Sequence, residues 1–306
     1  MTILFEKMAM LLLLIALGYL CSRSGLIGPE FNRGISRLVI NVFLPAMILS
    51  SVINQKLQMT GGEIAFGFLM MVVMIAICYV VGLFAPRLIG IKDGDKGMYS
   101  LLVTFMNNGF MGFPLVAALF GDSWVFFASL SNIPFNFLLY TAGVMQLQDR
   151  GEKAKFNLRS IMSAPLIATF AALILFICNI RIPSLIDDTV DTVANATVPL
   201  SMMSIGLSLG SVPIKDAFIH KRLYGLALLR LIVCPLLVWF VLHFIVTDPI
   251  ILGIIVVISA CPSAVICSIL GIKYGRDGIE ASEMIFLCTV LSVITMPLLM
   301  TVLGLK

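Results

Sequence analysis

Long apolar stretches separated by short polar connections run along all 306 residues of the chain. They predict spans near 8–22, 34–53, 64–86, 98–120, 123–146, 160–180, 192–210, 221–246, 250–272 and 281–303. A helix of about 20 apolar residues crosses a ~30 Å hydrocarbon layer, so the pattern predicts an all-α integral membrane protein of ten transmembrane helices. No stretch is left for a soluble domain. The run after Glu6 and Lys7 lacks a small-x-small cleavage site and reads as a retained first span.

Two spans contain helix-breaking sequence. The fourth carries MNNGFMGFPL over 106–115, and the ninth carries SACPSAV over 259–265. Gly109, Gly112 and Pro114 in the first and Pro262 in the second weaken the backbone ladder. An unsatisfied backbone group in hydrocarbon costs several kcal/mol, so such breaks survive only against protein or a watery cavity. Half-helix N-termini there present amide donors and positive dipole ends suited to an anion. Asn107 and Asn108 add neutral donors, a combination that suits a carboxylate which must bind and then leave. Ser263 has a hydroxyl for substrate or for the broken backbone.

The halves of the chain repeat one another. NVFLP (Asn41 to Pro45) returns as NATVP (Asn195 to Pro199), an offset of 154 that also sets Asn108 against Pro262 and Gly121 against Gly275. The expected division is a first five-helix repeat over 1–147, a cytoplasmic loop over 148–158 and a second repeat over 159–306. An odd number of spans makes the second copy enter from the opposite face. Inverted repeats of this kind suit a carrier that alternates between inward-open and outward-open shapes around a central site.

Composition and charge narrow the reading. Hydrophobic residues make up 60% and charged residues 12%, with a mean hydropathy of +1.10, which excludes a water-soluble protein. Fifteen Lys and Arg residues between Arg23 and Arg276 fall in connections on one side, against Lys7, Lys56, Arg181 and Lys306 on the other. The rule that cytoplasmic loops retain positive charge then places both termini outside the cytoplasm. The net charge of +4 is a topology signal and implies no nucleic-acid partner. Seven cysteines without C-x-x-C spacing point to packing thiols, with neither metal nor other cofactor expected.

Two ionisable residues stand inside or beside spans. Arg230 lies deep in the eighth, where it is either a counter-charge for an anionic substrate or a side chain that snorkels or pairs with an acid such as Glu283. Glu283 itself is either a group for proton or sodium coupling or an acid at a helix end.

NNGFMGFPLVAALFGD (107–122) resembles the fourth-helix crossover of the auxin efflux carrier family, where an Asn precedes Met-Gly-x-Pro-Leu. LGYLCSRSGLI, SRLVINVFLPAMILSS, PLSMMSIGLSLG and SACPSAVICSILGIKYGRD resemble other segments of that family in the same order. The resemblance implies a bile-acid-symporter-like fold, with a scaffold of spans 1, 2, 6 and 7 and a transport domain of spans 3–5 and 8–10. It implies a prokaryotic cell-membrane permease for malate, malonate or an auxin-like carboxylate, Asn107 as ligand contact, Pro114 and Pro262 shaping the crossover, and a homodimer surrounded by lipid. Asn41 then either lines the interface of scaffold and transport domain or caps the backbone freed by Pro45. Where the family often has Asn-Pro early in span 6, this chain has Ala164-Pro165.

Rival classes remain. GLSLG (Gly206 to Gly210) fits the Gly-x-Ser-x-Gly pattern of a serine hydrolase, with His220 and His243 the chain's histidines. Broken helices also build passive channels. A sensor would need an output partner that these loops do not suggest.

Overall fold

Runs of apolar sequence in this computed structural model form helices and, among the described residues, no strand. The structure describes residues 2–53, 59–91, 96–148, 162–211, 220–276 and 278–304. The loop 148–158 beyond Gln148 lies outside them, as do Lys56, Lys92, Arg150, Lys153, Lys155, Arg159, Lys215 and Lys306 of the charge count. The helices are α1 (Thr2–Arg23), α2 (Pro29–Ser50), α3 (Gly61–Leu88), α4 (Lys96–Thr104), α5 (Asn108–Phe120) and α6 (Asp122–Leu147). They continue with α7 (Ala164–Cys178), α8 (Ser184–Gly210), α9 (Lys221–Leu242), α10 (Pro249–Ala260), α11 (Val265–Lys273) and α12 (Gly278–Val302). Six of them, α2, α3, α6, α8, α9 and α12, are long and apolar enough to cross a membrane.

Local chemistry sets the ends. Thr60 and Glu63 form a capping box at α3: the Thr60 N–H donates to Glu63 Oε2 at 2.7 Å and the Glu63 N–H to Thr60 Oγ1 at 3.2 Å. Asp248 caps α10 by accepting from the Ile250 and Ile251 amides, with Pro249 in the first turn, where its missing N–H is not needed. The Ala164-Pro165 departure serves the same purpose: Pro165 opens α7 behind Ser163, whose hydroxyl accepts from the Leu166 N–H at 3.4 Å.

Prolines inside spans bend the ladder instead of ending it. Wide π turns at Val39–Phe43, Asn108–Gly112 and Leu229–Val233 each stop two residues before a proline, Pro45, Pro114 and Pro235. A proline lacks the N–H that would bond four residues back and its ring presses on that carbonyl, so the turn before it opens.

The chain divides into two compact units, each drawing on both halves of the sequence. Unit 1 comprises residues 1–69, 108–133 and 162–211; unit 2 comprises 70–107, 134–161 and 212–306. In unit 1, α2 packs against α7 and α8, and α1 runs along α8. The Thr197 hydroxyl donates to the Phe43 carbonyl at 3.0 Å, and Ser50 to Asp191 at 2.5 Å. In unit 2, α12 packs against α4, α9, α10 and α11, around a core that includes Met106, Leu231, Ile258 and Cys288.

Candidate functional site

Where α4 and α10 stop, their chain ends meet within unit 2. The backbone leaves α4 extended through Phe105, Met106 and Asn107, and leaves α10 extended through Pro262 to Ala264. The two segments pair antiparallel at a single bridge between Met106 and Ser263. The Asn107 N–H donates to the Pro262 carbonyl at 2.8 Å, and the Ala264 N–H to the Phe105 carbonyl at 2.9 Å. Extended backbone in an apolar interior must find such partners, because no water is there to supply them.

The carbonyls at the helix ends are matched just as closely. At the end of α4, Leu102 O accepts from the Ser263 hydroxyl at 2.6 Å, and Leu101 O from the Phe105 N–H at 2.9 Å. Val103 O and Thr104 O accept from Arg230 Nη1 at 2.8 and 3.3 Å. On the α10 side, Cys261 O accepts from Arg230 Nε at 3.1 Å, and Ser259 O accepts from Arg230 Nη2. Arg230 is 0% exposed. One guanidinium thus clamps the carbonyl ends of both interrupted helices, with a charge opposite to the negative dipole end of each.

That arrangement corrects the pairing expected for Arg230. The side chain neither snorkels nor meets Glu283; Glu283 bonds instead to His220, Oε2 to Nδ1 at 2.9 Å. The helix break is also displaced from the expected residues. Gly109, Gly112 and Pro114 lie inside α5, and the break falls at Phe105 to Asn107, where the paired strand-like segment replaces the ladder. Pro262 does stand in the second break. Ser263 gives its hydroxyl to broken backbone.

Asn108 belongs to unit 1 and heads a buried polar chain there. Its amide nitrogen donates to Asn132 Oδ1 at 3.2 Å and to Ser131 Oγ at 3.4 Å. Asn132 donates on to Thr169 Oγ1 at 3.5 Å, and the Thr169 hydroxyl donates to the Pro165 carbonyl at 2.8 Å. Asn108, Asn132, Ser131 and Thr169 are all buried. Asn41 lies apart on the exposed side of α2, where its amide donates to the Arg37 carbonyl at 2.8 Å, a backbone-capping contact. Sequence reasoning missed Asn132 and Thr169; the signal was an asparagine two residues before Pro134 in an otherwise apolar span.

Of the residues singled out, the structure therefore gathers Asn107, Pro262, Ser263 and Arg230 in unit 2, and places Asn108, Gly109 and Asn41 in unit 1. The described residues contain no cluster of His, Cys, Asp and Glu that would hold a metal ion. The serine of GLSLG is committed elsewhere: Ser208 Oγ accepts from Asn32 Nδ2 at 2.9 Å and donates to the Ser204 carbonyl.

Comparison with known proteins points to membrane transporters. The chain is 26% identical over 302 residues to a protein named uncharacterized transporter from Methanothermobacter thermautotrophicus, with 96% of each chain covered. It is 25% identical to an uncharacterized transporter from Methanocaldococcus jannaschii, again over 96% of each. Against the uncharacterized transporter YfdV of Escherichia coli K12 the identity is 23%, over 74% of each chain. The family described as membrane transport protein matches residues 3–300. Two interrupted helices stitched end to end, in a chain built of apolar helices and matched along nearly its whole length, place this protein in the membrane transport protein family, the auxin efflux carriers that its segments resemble.

Proposed function

We propose that this membrane transporter is a secondary active carrier of a small organic anion, such as malate, malonate or an auxin-like carboxylate, working by alternating access. The observation that carries the reading is the bridge between the α4 and α10 ends, secured by Arg230. It holds irregular backbone in an apolar interior without ending the fold. Beyond each bridge strand a new helix begins, and its first amides are the donors an anion would use. Asn107, Pro262 and Ser263 of unit 2 form the proposed binding region, and Arg230 supplies positive charge from behind the crossover. Ten spans in two inverted repeats, 1–147 and 159–306, complete the reading. It is supported by Gly121 and Gly275, 154 residues apart, which end α5 and follow α11 with φ of +101° and +73°. Both positions need the left-handed freedom of glycine.

The test is counterflow of labelled malate in proteoliposomes of the purified chain, with malate, malonate and indole-3-acetate as interior exchange partners. Transient uptake above equilibrium is the expected result, and its absence for all three, with the protein folded, rejects the substrate class. Asn107→Ala is expected to raise the half-saturating concentration of the best substrate at least about tenfold, since one lost hydrogen bond to a charged group is worth about 1.5–3 kcal/mol. Unchanged kinetics in that variant would reject the site. A passive channel would show no counterflow yet still pass the anion down its gradient.

A further inference from the structure

Two buried carboxylates stand one turn apart at the start of α12 and are neutralised in different ways. Glu280 faces a permanent cation: Arg222 Nε is 2.6 Å from its Oε1, and the Tyr99 hydroxyl donates to its Oε2. Glu283, with its side chain only 6% exposed, faces the imidazole of His220 at 2.9 Å. A buried carboxylate needs a compensating charge or it destabilises the fold. Guanidinium supplies that charge at every accessible pH, whereas imidazole supplies it only after taking up a proton. The His220 side chain is 44% exposed, so water delivers protons to the ring while the carboxylate it meets stays covered.

Among the described residues no other charge is paired with Glu283. Helix α12 packs against α4, α9, α10 and α11. Their charged and titratable groups are Lys96 and Tyr99 on α4, Lys221, Arg222, Tyr224, Arg230 and Cys234 on α9, and Cys267 and Lys273 on α11; Pro249–Ala260 has none. On α12 itself stand Glu280 and Cys288. Arg222 and Tyr99 serve Glu280, and Arg230 serves the crossover carbonyls. Cys234, Cys267 and Cys288 face the Val103 carbonyl, the Leu101 carbonyl and Ser263.

We propose that the His220–Glu283 pair is a proton-binding site through which this carrier couples substrate movement to proton movement, an inference that rests on the transport reading above. A hydronium ion gives its proton to the imidazole, one O–H bond breaks as one N–H bond forms and water is left, and the pair passes from a net charge of −1 to zero; release is the reverse. In the neutral state the pair moves through apolar surroundings without the desolvation cost of an unpaired carboxylate. One member of the pair adjoins the helix that carries the crossover clamp. His220 stands at the N-terminal boundary of α9, and Arg230, ten residues and roughly 15 Å along it, clamps both broken helices.

Exchange of bound substrate for bound substrate needs only the loaded carrier to reorient, whereas net movement also needs the proton to bind and leave. The full chain, Glu283→Gln and His220→Gln are therefore compared in proteoliposomes by labelled malate counterflow and by malate-dependent proton movement, read by a trapped pH-sensitive dye. The expected result is that counterflow persists in both variants while malate-dependent proton movement falls at least about tenfold. Proton movement equal to wild type in both variants, or wild-type uptake that follows a sodium gradient without proton movement, overturns the coupling site and leaves the carrier reading standing. Loss of counterflow in both variants overturns it too, because it makes the pair a requirement of the fold or of reorientation. Wild-type protein without counterflow of malate, malonate or indole-3-acetate sinks the transport reading, and this inference with it.

Discussion

Replacing Arg230 with Met is expected to lower the thermal unfolding midpoint of the purified protein by about 10 °C or more, and to abolish transport. Methionine fills much of the same space but carries no donor. The change strands the carbonyls of Val103, Thr104, Ser259 and Cys261 in an interior that offers no water. Each orphaned carbonyl costs about 1–3 kcal/mol, so the total reaches several kcal/mol against a typical fold stability of ~5–15 kcal/mol. A buried ion pair can often be exchanged for apolar residues without loss, but only when both partners go; here the partners are backbone and remain. Arg230→Lys is expected to fall between wild type and Met. A single ammonium keeps the charge near the helix ends but lacks the planar fork that reaches both of them. A midpoint for Arg230→Met within about 2 °C of wild type would show that the clamp contributes little.

Arg230 also marks the limit of what the sequence discloses. Its depth in an apolar span is readable from position alone, and it singles the residue out. Its partners are not readable, because they are main-chain carbonyls, which every residue has and no residue type announces. Glu283 is an acid the sequence offers as a partner, yet its bond is to His220. The same reason explains the displaced break. Glycine and proline mark weak ladder positions, and Gly109, Gly112 and Pro114 do sit beside the interruption, but the π turn over Asn108–Gly112 absorbs the bond that Pro114 cannot make and the helix continues. The actual break is Phe105 to Asn107, whose apolar members look like ordinary helix; pairing with a segment some 155 residues away decides it. Asn132 and Thr169 were missed likewise, since their bonds to Asn108 and to one another cross between separate helices. The six long apolar helices were legible because hydrocarbon thickness imposes a length, and length is a property of sequence.

The glycines of GLSLG support the second large prediction, one that also separates packing from catalysis. A Cβ on Gly206 would lie 2.0 Å from the Ile15 carbonyl oxygen and 2.7 Å from the Tyr19 nitrogen, while one on Gly18 would lie 2.2 Å from the Met203 carbonyl oxygen. These neighbours are backbone and cannot rotate aside. Helices α1 and α8 therefore touch main chain to main chain, which small residues allow and which drives helix association in lipid, where apolar burial gives no advantage. Gly206→Ala is expected to push the helices apart and to destabilise the protein by about 3 kcal/mol or more, at or above the ~1–3 kcal/mol usual for overpacking against side chains that can yield. The check is the unfolding midpoint and the monodisperse yield in detergent. Ser208→Ala serves as the comparison, since it removes the bonds to Asn32 and Ser204 and is expected to cost only about 0.5–1.5 kcal/mol with transport retained. A nucleophilic serine would reverse the order, with Ser208→Ala abolishing activity and Gly206→Ala perturbing it less. The main-chain contact at Gly206 makes the packing order the expected one, because it needs the glycine whatever residue stands at 208.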